Sequence, residues 1–186
     1  MGLSMKTFPT FSAEQLRTVT EAVCMSEELV SNFYKLSDGQ WLHARFDVKT
    51  LAELSPAEIV DGPFAQIIRY EGQRRDTALG FEVYDFYKIC LQDHTILATL
   101  EKSPQLRLLP FTLYIGTHEL IHIVRFSKFL QNFNAPPAER MVEENRVHSL
   151  TREILAPVQT TGLRPVLEYY SRWRQPFENL HRPSGD

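Results

Sequence analysis

The sequence predicts an α+β fold: N-terminal helices, a small antiparallel sheet, and a C-terminal helical hairpin. Three observations predict it. Apolar residues recur at helical spacing up to about Leu36, alternate with polar ones from Trp41 to Val48, and return to helical spacing after Pro110.

Taken in order, Ser12 with Glu14 and Gln15 close behind it reads as a helix start, and Leu16, Val19, Val23, Leu29, Val30 and Phe33 follow at helical spacing. Ser26-Glu27-Glu28 reads as a fresh start, so two helices or one kinked helix are expected before the turn Ser37-Asp38-Gly39. From Trp41 to Val48, Trp41, His43 and Arg45 face one way and Leu42, Ala44, Phe46 and Val48 the other, the pattern of a half-buried strand. Ser55-Pro56 opens a short helix, with the proline at the first helical position. Phe64 to Tyr70 and Phe81 to Leu91 are two further strands, and loops this short favour antiparallel pairing. Asp93 is placed to cap a helix running to about Lys102.

The last third reads as helical. Pro110 opens a helix to about Phe133, Asn134-Ala135-Pro136-Pro137 ends it, and Pro137 begins the next, which stops before Pro157. Gly162 and Pro165 introduce a third, from Val166 to about Trp173. Residues 1–10 read as a flexible leader, 11–174 as one domain and 175–186 as a frayed tail.

Composition bounds the function classes. With 186 residues, 43% hydrophobic and 23% charged, the chain can bury a single core. A net charge of −3 counts against nucleic-acid binding through a general positive field. No apolar run approaches the ~20 residues that span a bilayer, and the first ten residues lack the pattern of a secretory signal. Neither nucleic acid nor membrane is therefore expected as a partner. Cys24 and Cys90 are too few for a disulfide framework and are not spaced as a metal knuckle. Both read as buried small apolar residues, in keeping with a reducing, cytoplasmic location.

One segment carries chemistry: Gly116-Thr117-His118-Glu119-Leu120-Ile121-His122-Ile123-Val124. Four residues of α-helix turn through about 400°, so His118 and His122 project from one face and their imidazoles can meet at one metal ion. Glu119 is offset by about 100°, beside the pair rather than within it. That is where a base acting on water at the metal would stand. Phe111, His118, His122 and Phe129 fall near one line, with Ile115 and Phe126 beside it and Leu113, Leu120 and Val124 opposite. A helix apolar nearly all round is a buried one. A lone buried histidine ordinarily packs in a core with one hydrogen bond, whereas two on one buried face need partners that a metal would supply.

With uncharged, mostly apolar residues around the His118-Glu119-x-x-His122 pattern and no proline inside it, the segment Ile115 to Val124 resembles the zincin superfamily of metalloproteins. The resemblance implies zinc on His118 and His122, Glu119 as the catalytic base, and a third ligand on a later helix. In zincins whose third ligand is glutamate, an acidic residue one turn further on supports a metal-bound histidine. Glu144 and His148 match that spacing, with His148 where the acid would stand. Val124-Arg125-Phe126 departs from the branch that continues with glycine and a third histidine, so no particular peptidase family is indicated.

A short hairpin connection would set His122 and His148 each about 16 Å from the turn, facing each other. This level matching favours His148 as ligand, and the resemblance favours Glu144. Either one binds and the other orients it, or both bind, which would suit iron, nickel or manganese. Glu143 reads as surface charge or a buried partner for Arg125. Tyr84, Tyr87 and Tyr114 are candidates to hydrogen-bond a reacting carbonyl, with Tyr114 best placed. His43 and His94 read as solvated, Arg74-Arg75 as a loop pair, and Arg172-Trp173-Arg174 as an exposed helix end.

The leading expectation is a small zinc-dependent hydrolase acting on peptide or small amide substrates. One alternative takes Glu119-x-x-His122 as a ferritin-like motif in an iron or manganese carboxylate–histidine protein. The other is a non-enzymatic interaction protein with a residual metal site. The sequence indicates no oligomeric state.

Overall fold

The computed structural model describes residues 7–37, 46–76 and 80–172, and for 72–76 and 80–84 it describes the backbone alone. Among these residues the fold is mixed α+β, with five α-helices and one three-stranded sheet. In chain order they are α1 (Ala13–Tyr34), β1 (Phe46–Lys49), β2 (Ala65–Asp76), β3 (Gly80–Leu91), α2 (Asp93–Lys102), α3 (Leu108–Ser127), α4 (Pro137–Leu155) and α5 (Leu163–Ser171). Helix α3 is the hub, touched by α1, α4, α5 and β2. No helix among the described residues is long and apolar enough to cross a membrane.

The N-terminal region is one continuous helix rather than two. Ser12 and Gln15 close a capping box, Ser12 Oγ accepting from Gln15 N at 3.2 Å and Gln15 Oε1 from Ser12 N at 2.8 Å. Ser26 is not a second start. It is fully buried, and its hydroxyl donates between the carbonyls of Ala22 (2.8 Å) and Leu113 (3.2 Å), bridging α1 to α3. Opposite it stands Gly116, where a Cβ would lie 2.7 Å from Ser26 Oγ. The absent side chain lets the two helix backbones approach.

The sheet corrects the antiparallel expectation. Its order is β1-β3-β2, with β2 and β3 paired antiparallel from Ala65↔Leu91 to Asp76↔Gly80 and β1 parallel to β3 at Phe46↔Tyr87 through Lys49↔Cys90. The segment 50–64, with short 3₁₀ turns at Leu51–Glu53 and Pro56–Glu58, is long enough to carry the chain across the sheet. β3 thus inserts between the first two strands. The first half of the expected Trp41–Val48 strand, including His43, lies outside the described residues.

That crossing segment is pinned by polar groups. Asp93 opens α2 without capping it; its carboxylate accepts the backbone N–H groups of Phe11 and Leu51, each at 3.0 Å. Gln92 Nε2 donates to the Glu58 carbonyl and Gln92 Oε1 accepts from Val60 N, both at 3.0 Å. The Glu58 carboxylate accepts Lys88 Nζ and Tyr70 OH, each at 2.6 Å, and Ser55 N at 2.9 Å.

The hydrogen bond from Lys88, then those from Tyr70 and Ser55, hold the Glu58 pKa down at about 2 against an ordinary 4.5. On acidification the unfolded chain therefore takes up this proton first, and the stability Glu58 supplies, complete above about pH 5, is lost as pH falls toward 2. Urea unfolding of Glu58→Gln at pH 6 and pH 3 is expected to show a smaller acid loss than the parent. Equal losses would remove Glu58 as a source of acid sensitivity.

Helix α3 ends at Ser127, six residues short of Phe133. Phe129 takes the left-handed conformation (φ 56°) and Leu130 N donates to the Arg125 carbonyl at 2.8 Å, closing a Schellman end with phenylalanine where glycine is usual. Phe129 is 95% exposed, so it does not extend the histidine line expected along the helix. The link to α4 is consequently residues 128–136 rather than a three-residue turn.

Candidate metal centre

Helix α3 is buried from Pro110 to Arg125 on every side, only Glu119 being half-buried. His118 and His122 stand one turn apart on it, with Nε2 atoms 3.2 Å from each other. The Glu144 carboxylate of α4 spans the pair: Oε1 lies 2.9 Å from His118 Nε2 and Oε2 lies 3.1 Å from His122 Nε2. His148, one turn further along α4, points Nε2 toward Glu144 Oε1 at 3.7 Å, and its ring centroid lies 4.3 Å from that of His118. His148 Nδ1 contacts Tyr114 OH at 2.8 Å. All four candidate ligands are thus in one cluster, and ligand atoms of His118, Glu144 and His148 lie within 4.8 Å of one another, a group that could hold a metal ion.

The level matching needs correcting. His148 stands opposite Tyr114 and His118, while Glu144 stands opposite His118 and His122. The cause is the early end of α3, which shifts the pairing of the antiparallel helices by more than a turn.

The chemistry of the donors explains why a cation suits them. Gln131 Oε1 lies 2.9 Å from His122 Nδ1 and is placed to accept its proton, which leaves the Nε2 lone pair facing Glu144 and His118. Two imidazole nitrogens and the two oxygens of a carboxylate, paired at about 3 Å, repel unless a proton or a metal ion sits between them. A shared proton relieves the same repulsion. Burial alone would lower the His122 pKa, but the hydrogen bond and charge of Glu144, helped by Glu119 and Gln131, outweigh it and raise the value to about 9. Burial likewise opposes ionisation of Glu144, yet the two histidines hold its carboxyl well below the usual range. Two imidazole nitrogens and a carboxylate oxygen also fit zinc with a further position open. One feature of the surroundings is less complete: buried His118 Nδ1 has no hydrogen-bond partner among the described residues.

Glu119 lies outside this ligand set. Burial raises its carboxyl pKa, opposed by the charges of His118 and His122 and reinforced by Glu144. It makes no hydrogen bond among the described residues.

The surrounding packing fixes the cluster. Phe126 stacks beside His122 (6.0 Å between centroids, planes 21° apart) and Tyr87 of β3 stacks on Phe126 (5.7 Å, 15°), joining the sheet to the site. On the other side Tyr170 of α5 stacks on Tyr114 (3.7 Å, 9°). Arg125 Nε donates to the Glu143 carboxylate in a buried ion pair, so Glu143 is tied to Arg125 of α3 rather than to the candidate ligands.

Other candidates stand elsewhere. His94 is buried rather than solvated, with Nε2 3.2 Å from Asp61 Oδ1 and its ring against Phe8. Cys24 is exposed on α1, not buried, whereas Cys90 is fully buried and its thiol pushed up to about 11 by desolvation. Arg172 is exposed; Trp173 and Arg174 lie outside the described residues, as do the side chains of Arg74, Arg75 and Tyr84. Sequence reasoning missed Gln131 and Tyr170. Gln131 falls within the helix expected to about Phe133, and Tyr170 within the one expected from Val166 to about Trp173, with no signal that singles out either. No protein-family model, curated protein or solved structure matches this chain.

Proposed function

We propose that the chain is a zinc-dependent hydrolase of peptide or small amide bonds, built on a zincin-like site. The observation supporting this reading best is the convergence of His118 Nε2, His122 Nε2 and the Glu144 carboxylate, with Glu119 unbonded beside them. His118, His122 and Glu144 are the ligands. A zinc ion bound there supplies Lewis acidity, lowering the pKa of water toward neutrality and polarising the carbonyl under attack. Glu119 accepts the proton of the attacking water at its carboxylate and returns it to the leaving nitrogen. Gln131 holds the His122 ring, and Tyr114 holds the His148 ring.

One observation favours a second reading. His148 Nε2 faces Glu144 in the same cluster, so a four-ligand centre of three histidines and one carboxylate is available to iron, manganese or nickel.

Metal titration followed by calorimetry separates them. The first reading expects one zinc per chain, with affinity lost in His118→Ala and His122→Ala, lowered about 100-fold or more in Glu144→Gln and within tenfold of the parent in His148→Gln. Tighter binding of iron or manganese, with equal losses in Glu144→Gln and His148→Gln, favours the second. Absence of any binding would remove both.

A further inference from the structure

Helices α4 and α5 flank a half-open cavity of about 220 Å³ beside the candidate metal centre. Asn145, Ser149 and Arg152 line it from α4, Leu167 and Tyr170 from α5. Its inner wall is Tyr114 and His148, the residues whose hydroxyl–imidazole contact backs onto His118. Cavity and metal centre therefore share a wall. The stacked rings of Tyr114 and Tyr170, with Leu167, make an apolar surface, and Ser149 and Asn145 add polar edges.

The cavity is smaller than the ~300–1,000 Å³ that holds a drug-sized ligand, so it suits one substrate residue. Its charge is one-sided. Arg152, exposed at its surface, follows His148 by one helical turn on the same face, and among the described residues no acidic side chain lines the cavity or pairs with it. A guanidinium beside an apolar surface matches a carboxylate, which it can grip through two parallel hydrogen bonds.

We infer that this cavity is the specificity pocket of the site and takes a substrate carboxylate, with Arg152 as the residue that selects it. The inference rests on the hydrolase reading above. The carboxylate can come from an acidic side chain or from a free chain terminus, and both present the same group to Arg152.

Two matched pairs of hydroxamates, which anchor on bound zinc, test this by calorimetry on the zinc-loaded full chain. N-acetyl-aspartyl hydroxamate against N-acetyl-asparaginyl hydroxamate puts the charge on a side chain. N-hydroxysuccinamoyl-glycine against its glycinamide puts it at a terminus. In at least one pair the acid is expected to bind about tenfold tighter than the amide. Arg152→Gln should erase that preference while the amide still binds, and the pair that responds identifies the source of the carboxylate. Equal binding of acid and amide in both pairs, or a preference that survives Arg152→Gln, overturns the inference and leaves the hydrolase reading standing. Failure of all four hydroxamates to bind overturns both.

Discussion

Glu119→Gln is expected to lower hydrolytic turnover by about 10²–10⁴-fold while zinc stays bound. Glutamine keeps the shape of the side chain but cannot accept a proton. Glu119 touches none of the ligand atoms through a hydrogen bond among the described residues, so the substitution leaves His118, His122 and Glu144 as they are. It also replaces a carboxylate whose ionisation burial already opposes, so folding should not suffer. Turnover on a fluorogenic peptide library, measured beside zinc content by mass spectrometry, checks both halves. Loss of zinc would make Glu119 a ligand; undiminished turnover would remove it as the base.

The second large effect is on stability. Arg125→Met is expected to cost about 3–5 kcal/mol, because it leaves Glu143 buried without its partner. Arg125 is 7% exposed and Glu143 8%, so water cannot replace the lost contact. Arg146, the other cation near Glu143, lies 3.6 Å away and is itself exposed, a weak substitute. Arg125→Met with Glu143→Leu should recover most of the loss, since two apolar side chains can pack where an ion pair stood. Urea unfolding of both variants measures this. The pair sits one residue from Glu144 and three from His122, so the single variant should also weaken zinc binding. A loss below about 1 kcal/mol would mean that the pair behaves as a surface one.

How much of this was legible in the sequence depends on which forces were local. The buried α3 announced itself through apolar residues on every side, and the four-residue spacing of His118 and His122 fixed their common face. Pro137 marked the start of α4 because proline suits a first helical turn. The end of α3 was hidden, since Phe129 adopts a conformation normally signalled by glycine. That one error lengthened the helix, shortened the loop and displaced the pairing of His148. Ser26 misled for a related reason: its helix-start signature is local, whereas the carbonyl of Leu113 that it also satisfies is 87 residues away. The parallel pairing of β1 was equally out of reach, because the segment that follows it is held by Glu58, Gln92 and Asp93 through partners distant in the chain.

The choice between Glu144 and His148 shows the same division. Spacing placed both on one face of α4, and only the tertiary structure sets Glu144 against both α3 histidines while Tyr114 engages His148.

Zinc-edge X-ray absorption on untagged, zinc-loaded protein addresses the ligand cluster most directly. Two nitrogen neighbours at about 2.0–2.1 Å and carboxylate oxygen at about 2.0–2.2 Å are expected, with the imidazole scattering halved in His122→Ala. A zinc ion surrounded by oxygen alone, or a spectrum indifferent to His122→Ala, would contradict the assignment of His118, His122 and Glu144 as a metal centre.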